Sequence, residues 1–470
     1  MASVFQFLDC RYNPEPGFWQ KLDLTLPENL VNSTIFGGEL MFKRRDGSFK
    51  TRRCILTSSY IYYLSKWIIP KYRANISWKT IEPFIEITDK GSLYGFRLGD
   101  LNALDFFTKS SQDLDKWLEN LSPICILSTF DEDLIVIKEI SHSMGSCINL
   151  CQSTEELKHR HKLQYEPNIL KRNPSSQPRT HEEFAIKSYS KQAISQKPDL
   201  LQSIVNEIRG LRLVSHPNIV KLYKVYETYS HIHLVIDYFP YGDLSKRLQK
   251  VKKLSEANAL KFMASLLQTL SYMHSMGIVH RDIKPENIMM MNDNSFQLKI
   301  IDFGLACDAG YGLSQKCGSP GCVAPEILRG EIYGSKADLF SAGVLMYIIL
   351  TGKSPFSGRD TKEVLNKNKK CLISFSNNIF SKLTTETVEL LKTLLDANPN
   401  IRCSASEALV FSCIKKVREC ECVHKTCGFC QETNSDVHKI DTRKSTTDYA
   451  KKPNSKTLPK IHPHKRNFFL

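Results

Sequence analysis

The segment His280-Arg-Asp-Ile-Lys-Pro-Glu-Asn287 holds a carboxylate (Asp282), an ammonium (Lys284) and a carboxamide (Asn287) within eight residues, and Ile301-Asp-Phe-Gly304 adds a second carboxylate, Asp302. Asn287 and Asp302 offer the hard oxygen atoms that magnesium prefers over nitrogen or sulfur. A carboxylate such as Asp282 can take a proton from a hydroxyl, and an ammonium such as Lys284 can neutralise an anion beside it. A second set of residues is soft: Cys420, Cys422, His424, Cys427 and Cys430 lie at spacings compatible with zinc. Only one Cys-x-x-Cys pair is present there, so zinc at 420–430 competes with reduced or acylated thiols. A third set is basic, because residues 43–53 hold six Lys and Arg against Asp46 alone.

Each set needs elements to position it. The chain has 470 residues, 24% charged and 41% hydrophobic, with a formal net charge of +15. That composition excludes a wholly disordered or collagen-like chain and suits about two to four domains. The fifteen cysteines are odd in number and mostly scattered, and MASVFQFLDC carries no leader pattern, so a reducing, cytoplasmic compartment is expected. The longest apolar run, 337–350, falls short of the roughly 20 residues a membrane span needs and reads as a buried helix.

Residues 34–121 alternate short β-branched and aromatic runs with Gly, Asp and Ser, then close with SQDLDKWLENLSP. There Ser110 or Ser111 can cap a helix with Leu114, Trp117, Leu118 and Leu121 on one face. This predicts a small β-barrel or sandwich with a C-terminal helix. Residues 134–413 run from strands to helices, which predicts an α+β, two-lobed body. The polar stretch 152–183 reads as a loop insertion, and 415–470, rich in Lys, Thr and Pro, as a basic, largely disordered tail.

The motifs at 280–287 and 301–304, together with Gly318-Ser-Pro-Gly-Cys-Val-Ala-Pro-Glu326, Ala185-Ile-Lys187, Glu207, Asp338 and Arg402, resemble in order and spacing a eukaryotic Ser/Thr protein kinase, in style nearest the calcium/calmodulin-dependent kinase-like group. The resemblance implies the two-lobed kinase fold, ATP with Mg2+, and protein substrates. It makes Asp282 the residue that orients the acceptor hydroxyl and takes its proton, Lys284 a neutraliser of the γ-phosphate, and Asn287 and Asp302 the metal ligands. Lys187 would hold phosphates with Glu207 as its partner. Ile140, Ile148, Ala185, Asp237, Phe239 and Met289 would complete the ATP site. Ser319 would dock the acceptor, with Asp243 and Glu286 receiving a basic residue upstream of it. His280, Phe303, Leu211 and Leu222 resemble the internal column that aligns kinase lobes. Arg281 usually grips a phosphorylated activation segment, but the usual acceptor position is Gln315 here, beside Ser314. No Asp-rich twelve-residue loop follows, so no built-in EF-hand is expected.

One departure favours an alternative, a pseudokinase scaffold. Where kinases carry three phosphate-loop glycines this chain has Ser141, Ser143 and Ser146, with Gly145 out of phase. Serine costs the close backbone approach that glycine permits, so weakened ATP binding is expected.

Residues 34–121 resemble a pleckstrin-homology domain in Gly38-Glu-Leu40, the strand Phe49-Lys-Thr-Arg-Arg-Cys-Ile-Leu56 and Trp117. Lys43, Lys50 and Arg52 reproduce the basic triad with which some members grip phosphoinositide headgroups, and strand alternation puts Lys50 and Arg52 on one face. The front module would then place a cytoplasmic enzyme at an anionic membrane. The tail lacks interleaved aromatics, so no nucleic acid is expected as a partner.

Overall fold

The computed structural model describes residues 3–5, 18–22, 30–65, 69–88, 91–99, 103–143, 145–154, 183–292, 297–310, 312–375 and 378–420. Within the insertion at 152–183 only its first three and last residues are described, and the five zinc-type side chains at 420–430 lie outside the described residues. The chain divides into two units, Met1–Arg212 with Val220–Tyr238, and Leu213–Ile219 with Phe239–Leu470.

The first unit is built on β-structure, as its short runs of alternating residues dictate. Strand β1 is Gln20–Lys21, and β2 to β8 are Phe36–Lys43, Phe49–Leu56, Tyr60–Ser65, Ile69–Asn75, Thr80–Thr88, Gly91–Leu98 and Leu104–Thr108. Helix α1, Ser111–Leu121, follows with Ser110 as its N-cap, the hydroxyl accepting from the Asp113 amide, and buries Leu114, Trp117 and Leu121. The capping residue and the apolar face are those the sequence implies. The further strands are β9 (Ile126–Leu127), β10 (Leu134–Ser143), β11 (Ser146–Ser153), β12 (Glu183–Ser190), β13 (Leu222–Glu227) and β14 (His231–Asp237). Helix α2, Pro198–Leu213, buries Ile204, Val205, Ile208 and Leu211.

All fourteen strands form one sheet, in the order β1-β5-β4-β3-β2-β8-β7-β6-β9-β13-β14-β12-β11-β10. The join is β9, which runs parallel to β6 on one edge, with Ile81 opposite Leu127, and parallel to β13 on the other, with Leu127 opposite Tyr226. Both of its side chains are buried, as a strand covered on two faces requires. A single apolar cluster likewise runs from Leu40, Phe96, Phe106 and Trp117 to Cys151, Ile186, Tyr226 and Val235. The front β-module and the strands at 134–237 therefore share a sheet and a core.

The second unit is mainly helical. It contains helices α3 (Leu244–Val251), α4 (Glu256–Ser275), α5 (Pro325–Arg329), α6 (Lys336–Thr351), α7 (Thr385–Leu394) and α8 (Ser412–Cys420), and a short antiparallel pair of Ile288–Met290 with Leu298–Ile300 that packs on α3 and α4. The apolar run 337–350 lies in α6, nearly every residue of which is buried. Among the described residues no helix is long and apolar enough to cross a membrane. Helix α8 buries Ile414 and Val417 and reaches Cys420, so it takes in the first six residues of the segment whose composition marks the tail.

Candidate active site

In the second unit the catalytic-type residues converge on one carboxylate. Asp282 Oδ2 accepts from Lys284 Nζ at 2.6 Å and from Asn287 Nδ2 at 2.9 Å. Its Oδ1 accepts from the Ser319 hydroxyl at 2.7 Å, and Lys284 Nζ also donates to that hydroxyl at 2.8 Å. Asn287 Nδ2 further bonds the Asp282 carbonyl oxygen at 2.9 Å, which fixes the amide and leaves Oδ1 as its outward acceptor. Sequence proximity explains three of these groups; Ser319 is brought in by the fold.

Asp338 of α6 holds the loop from behind. Fully buried, it accepts from the His280 and Arg281 amides at 2.9 and 2.8 Å and pairs with His274 Nε2 at 2.9 Å. His280 Nε2 meets the Ile301 carbonyl at 3.1 Å, tying the two motif loops together, and its ring meets Phe303 edge to face at 5.0 Å. Arg281 and Asp302 have φ of +66° and +64°, left-handed conformations that a non-glycine residue keeps only where its surroundings over-determine it. Asp302 Oδ1 accepts from the Gly304 amide at 3.4 Å. Arg281 donates through Nε to the Leu305 carbonyl at 2.5 Å and through Nη1 to Gln315 Oε1 and the Tyr333 hydroxyl, both at 3.2 Å. Arg402 and Glu326 form a fully buried two-pronged ion pair at 2.6 and 2.9 Å, with the guanidinium over the Phe340 ring at 5.0 Å. Burial pushes the Cys322 thiol up to about 12, so it behaves as a small apolar side chain.

Of the substrate-type carboxylates, Asp243 is the N-cap of α3, accepting from the Lys246 amide at 2.9 Å, while Glu286 is exposed on the one-turn helix Pro285–Asn287. The backbone bridge between Asp243 and Met289 makes them neighbours. Phe239 is half-buried just before α3.

In the first unit Lys187 on β12 donates to both oxygens of Glu207 on α2, at 2.8 and 2.9 Å, and Glu207 is 2% exposed. Tyr189 adds a third bond to Glu207, at 2.7 Å. The sequence reading missed it, although period-two alternation puts residue 189 on the same face as 187. Ala185 is buried on β12 between Leu150 of β11 and Ile236 of β14. Asp237 accepts from the Lys221 amide at 2.9 Å and the Tyr223 hydroxyl at 2.8 Å. The serine-bearing segment is the β10–β11 hairpin, with Ser141 opposite Ile148 and Ser143 opposite Ser146, and Ile140 exposed on its outer strand. The ladder runs up to the turn, where Gly145 has φ +98° and the Ser143 and Ser146 hydroxyls lie 2.7 Å apart.

The front module has a hollow of about 340 Å³ lined by Lys50, Thr51, Arg52, Arg53, Tyr63, Leu64, Ser65 and Lys71. Lys43 is not on it; its ammonium pairs with Glu86 at 3.0 Å. Lys71 takes the third place, brought beside β3 by the β3-β4-β5 meander and thus invisible to spacing along one hairpin.

The family model described as "Protein kinase domain" matches residues 174–412, half of the chain. The chain belongs to the protein kinase family. The matched segment contains Lys187, Glu207, Asp282, Asn287, Asp302, Glu326 and Arg402, while the hairpin at 134–153 precedes it. Among similar proteins, "Probable serine/threonine-protein kinase 2" of Plasmodium falciparum (isolate K1 / Thailand) is 41% identical over 209 residues, which is 44% of this chain and 41% of that protein. "Probable serine/threonine-protein kinase fhkC" of Dictyostelium discoideum is 37% identical over 49% of this chain and 40% of its own length. "Calcium-dependent protein kinase 4" of Plasmodium berghei (strain Anka) is 35% identical over 49% of this chain and 44% of its own. The chain thus spans about two fifths of the length of the relatives it matches.

Proposed function

We propose that this kinase transfers the γ-phosphate of ATP to serine or threonine of protein substrates, within the calcium/calmodulin-dependent kinase-like group. The observation that carries the reading is the convergence of Lys284, Asn287 and Ser319 on the Asp282 carboxylate. Asp282 orients the acceptor hydroxyl, in the place Ser319 marks, and receives its proton. Lys284 supplies positive charge beside it. Asn287 Oδ1 and the Asp302 carboxylate are a donor set that fits magnesium, whose charge offsets that of the ATP phosphates. Lys187, held by Glu207, binds phosphate oxygens. Glu286 and Asp243 favour substrates basic upstream of the acceptor.

The front module reads as pleckstrin-homology-like, with Lys50, Arg52 and Lys71 gripping a phosphoinositide headgroup and a cytoplasmic enzyme drawn to the membrane surface. The second reading, a pseudokinase scaffold, is favoured by the serine hairpin, which carries Ser141, Ser143 and Ser146 where a phosphate loop has glycines.

Transfer of radiolabel from ATP with magnesium, to the protein itself and to Ser/Thr peptides, tests the choice. Wild type is expected to label, and Asp282→Asn to lose about 10²- to 10⁴-fold in kcat, the range for a positioned general base. A wild type that labels nothing, with nucleotide binding unmoved by Asp302→Ala, makes the chain a scaffold.

A further inference from the structure

Glu207 reaches Lys187 only while helix α2 keeps its rotation and position. A 20° turn carries a carboxylate at a helix radius of about 6 Å through about 2 Å, enough to break a hydrogen bond of normal length. What holds α2 is therefore part of the site.

On the face of α2 about 140° around from Glu207, the last turn of the helix carries Arg212, whose partners come from the front module. Its Nη1 donates to the Ser77 carbonyl at 2.5 Å and its Nη2 to the Cys125 carbonyl at 3.0 Å, while the guanidinium lies over the Trp78 ring at 5.6 Å. Ser77 and Trp78 form the turn between β5 and β6, and Cys125 immediately precedes β9. Burial pushes the Arg212 guanidinium down to about 10, so it stays cationic at neutral pH, held by carbonyl dipoles and an aromatic face. Trp78 stacks on Phe5 at 5.4 Å, and both belong to one buried cluster with Ile204, Val205 and Ile208 of α2. The chain start is pinned there too, since the Ser3 hydroxyl and the Val4 amide donate to Glu227 at 2.5 and 2.8 Å.

We propose that Trp78 and Arg212 are positioning residues for phosphoryl transfer, through which the front β-module holds α2 in the placement that pairs Glu207 with Lys187. The module then acts on the kinase directly, whatever else it binds. The inference rests on the kinase reading, and its consequence is specific: loosening the clamp frees Lys187 from its partner, which weakens phosphate binding and transfer but leaves peptide docking alone.

The experiment uses the full chain with Trp78→Ala, Arg212→Ala, Arg212→Lys and, as a control on the exposed Arg97–Asp105 pair, Arg97→Ala. Steady-state kinetics are measured against ATP and peptide separately, with amide exchange over 198–213. Expected for Trp78→Ala and Arg212→Ala are a rise in KM for ATP, a kcat/KM lower by about tenfold, an unchanged KM for peptide and faster exchange in α2. Arg212→Lys, which can still donate to a carbonyl, recovers part of the loss, and Arg97→Ala matches wild type. A variant that is only less well folded lowers kcat in proportion to its folded fraction and leaves both KM values in place; that outcome, or wild-type kinetics with unchanged exchange, overturns the proposal. If wild type itself transfers no phosphate the kinase reading fails instead, and exchange over 198–213 alone decides whether the clamp holds α2.

Discussion

Arg281 is a side chain on which regulation of the proposed kinase would turn. In the family its guanidinium usually grips an activation-segment phosphate, and here the carboxamide of Gln315 occupies that place at 3.2 Å, with Tyr333 donating to the Gln315 carbonyl at 2.7 Å. A neutral acceptor is weaker than a phosphate, but it is always present. The segment is thus held without modification, and activity should not depend on phosphorylation. Phosphatase treatment and Ser314→Ala are each expected to leave peptide phosphorylation within about twofold of wild type, whereas Gln315→Leu, which removes one acceptor from Arg281, lowers it severalfold. Loss of activity on phosphatase treatment would show that Ser314 or another site carries a required phosphate. The residues around Asp282 were legible in the sequence because their chemistry is local, lying within 280–287 and 301–304. Gln315 was legible only as a departure; its bond to Arg281 needed the fold.

At the scale of elements, β14 carries a titratable group into the junction of the first unit. The His233 ring stacks on Phe130 at 3.9 Å and its Nδ1 shares a bond with the Ser188 hydroxyl at 2.8 Å. Burial, with a smaller contribution from His231, pushes its pKa down to about 4, from an ordinary 6.5. Between those values the unfolded chain binds the extra proton, so the contribution of this site to stability is intact above pH 6.5. It falls as the pH drops towards 4, by about 3 kcal/mol in all. Unfolding midpoints measured from pH 7 to 4 should therefore fall less steeply in His233→Gln than in wild type; parallel curves would show that the buried imidazole is not responsible. Such elements were largely readable. The cap at Ser110, the stripe on α1 and the strand-to-helix order of the kinase body follow from local pattern. Strand β9 was not, because two apolar residues carry no periodicity and their partners, at 80–81 and 226, are distant in sequence. Trp78 and Arg212 were missed for the same reason.

For the whole molecule, the net charge of +15 is unevenly placed. Residues 34–121 carry 14 Lys and Arg against 10 Asp and Glu, and 415–470 carry 13 against 6, leaving little excess on the catalytic segment. Charge concentrated in the flanking modules favours an anionic surface over a substrate in the catalytic centre as its counterpart. Within the front module Lys50, Arg52 and Lys71 line one hollow, with the Tyr63 hydroxyl accepting from Arg52 Nε at 2.6 Å and so aiming the guanidinium. Each basic residue close to an anionic membrane is worth about 1 kcal/mol, so the three together amount to roughly a hundredfold in affinity. Co-sedimentation with vesicles of neutral lipid plus a few per cent phosphoinositide should then exceed that with neutral lipid alone, and weaken as salt is raised. Lys50→Ala with Arg52→Ala and Lys71→Ala should abolish most of the difference. Lys43→Ala should change it little, because that ammonium is already paired with Glu86. If sedimentation ignores headgroup content, or follows Lys43 rather than Lys71, the hollow is not the lipid site. Since the hollow-bearing strands share a sheet with the strand that carries Lys187, the same vesicles added to a kinase assay report whether headgroup binding reaches Lys187, as a change in KM for ATP in wild type that Trp78→Ala abolishes.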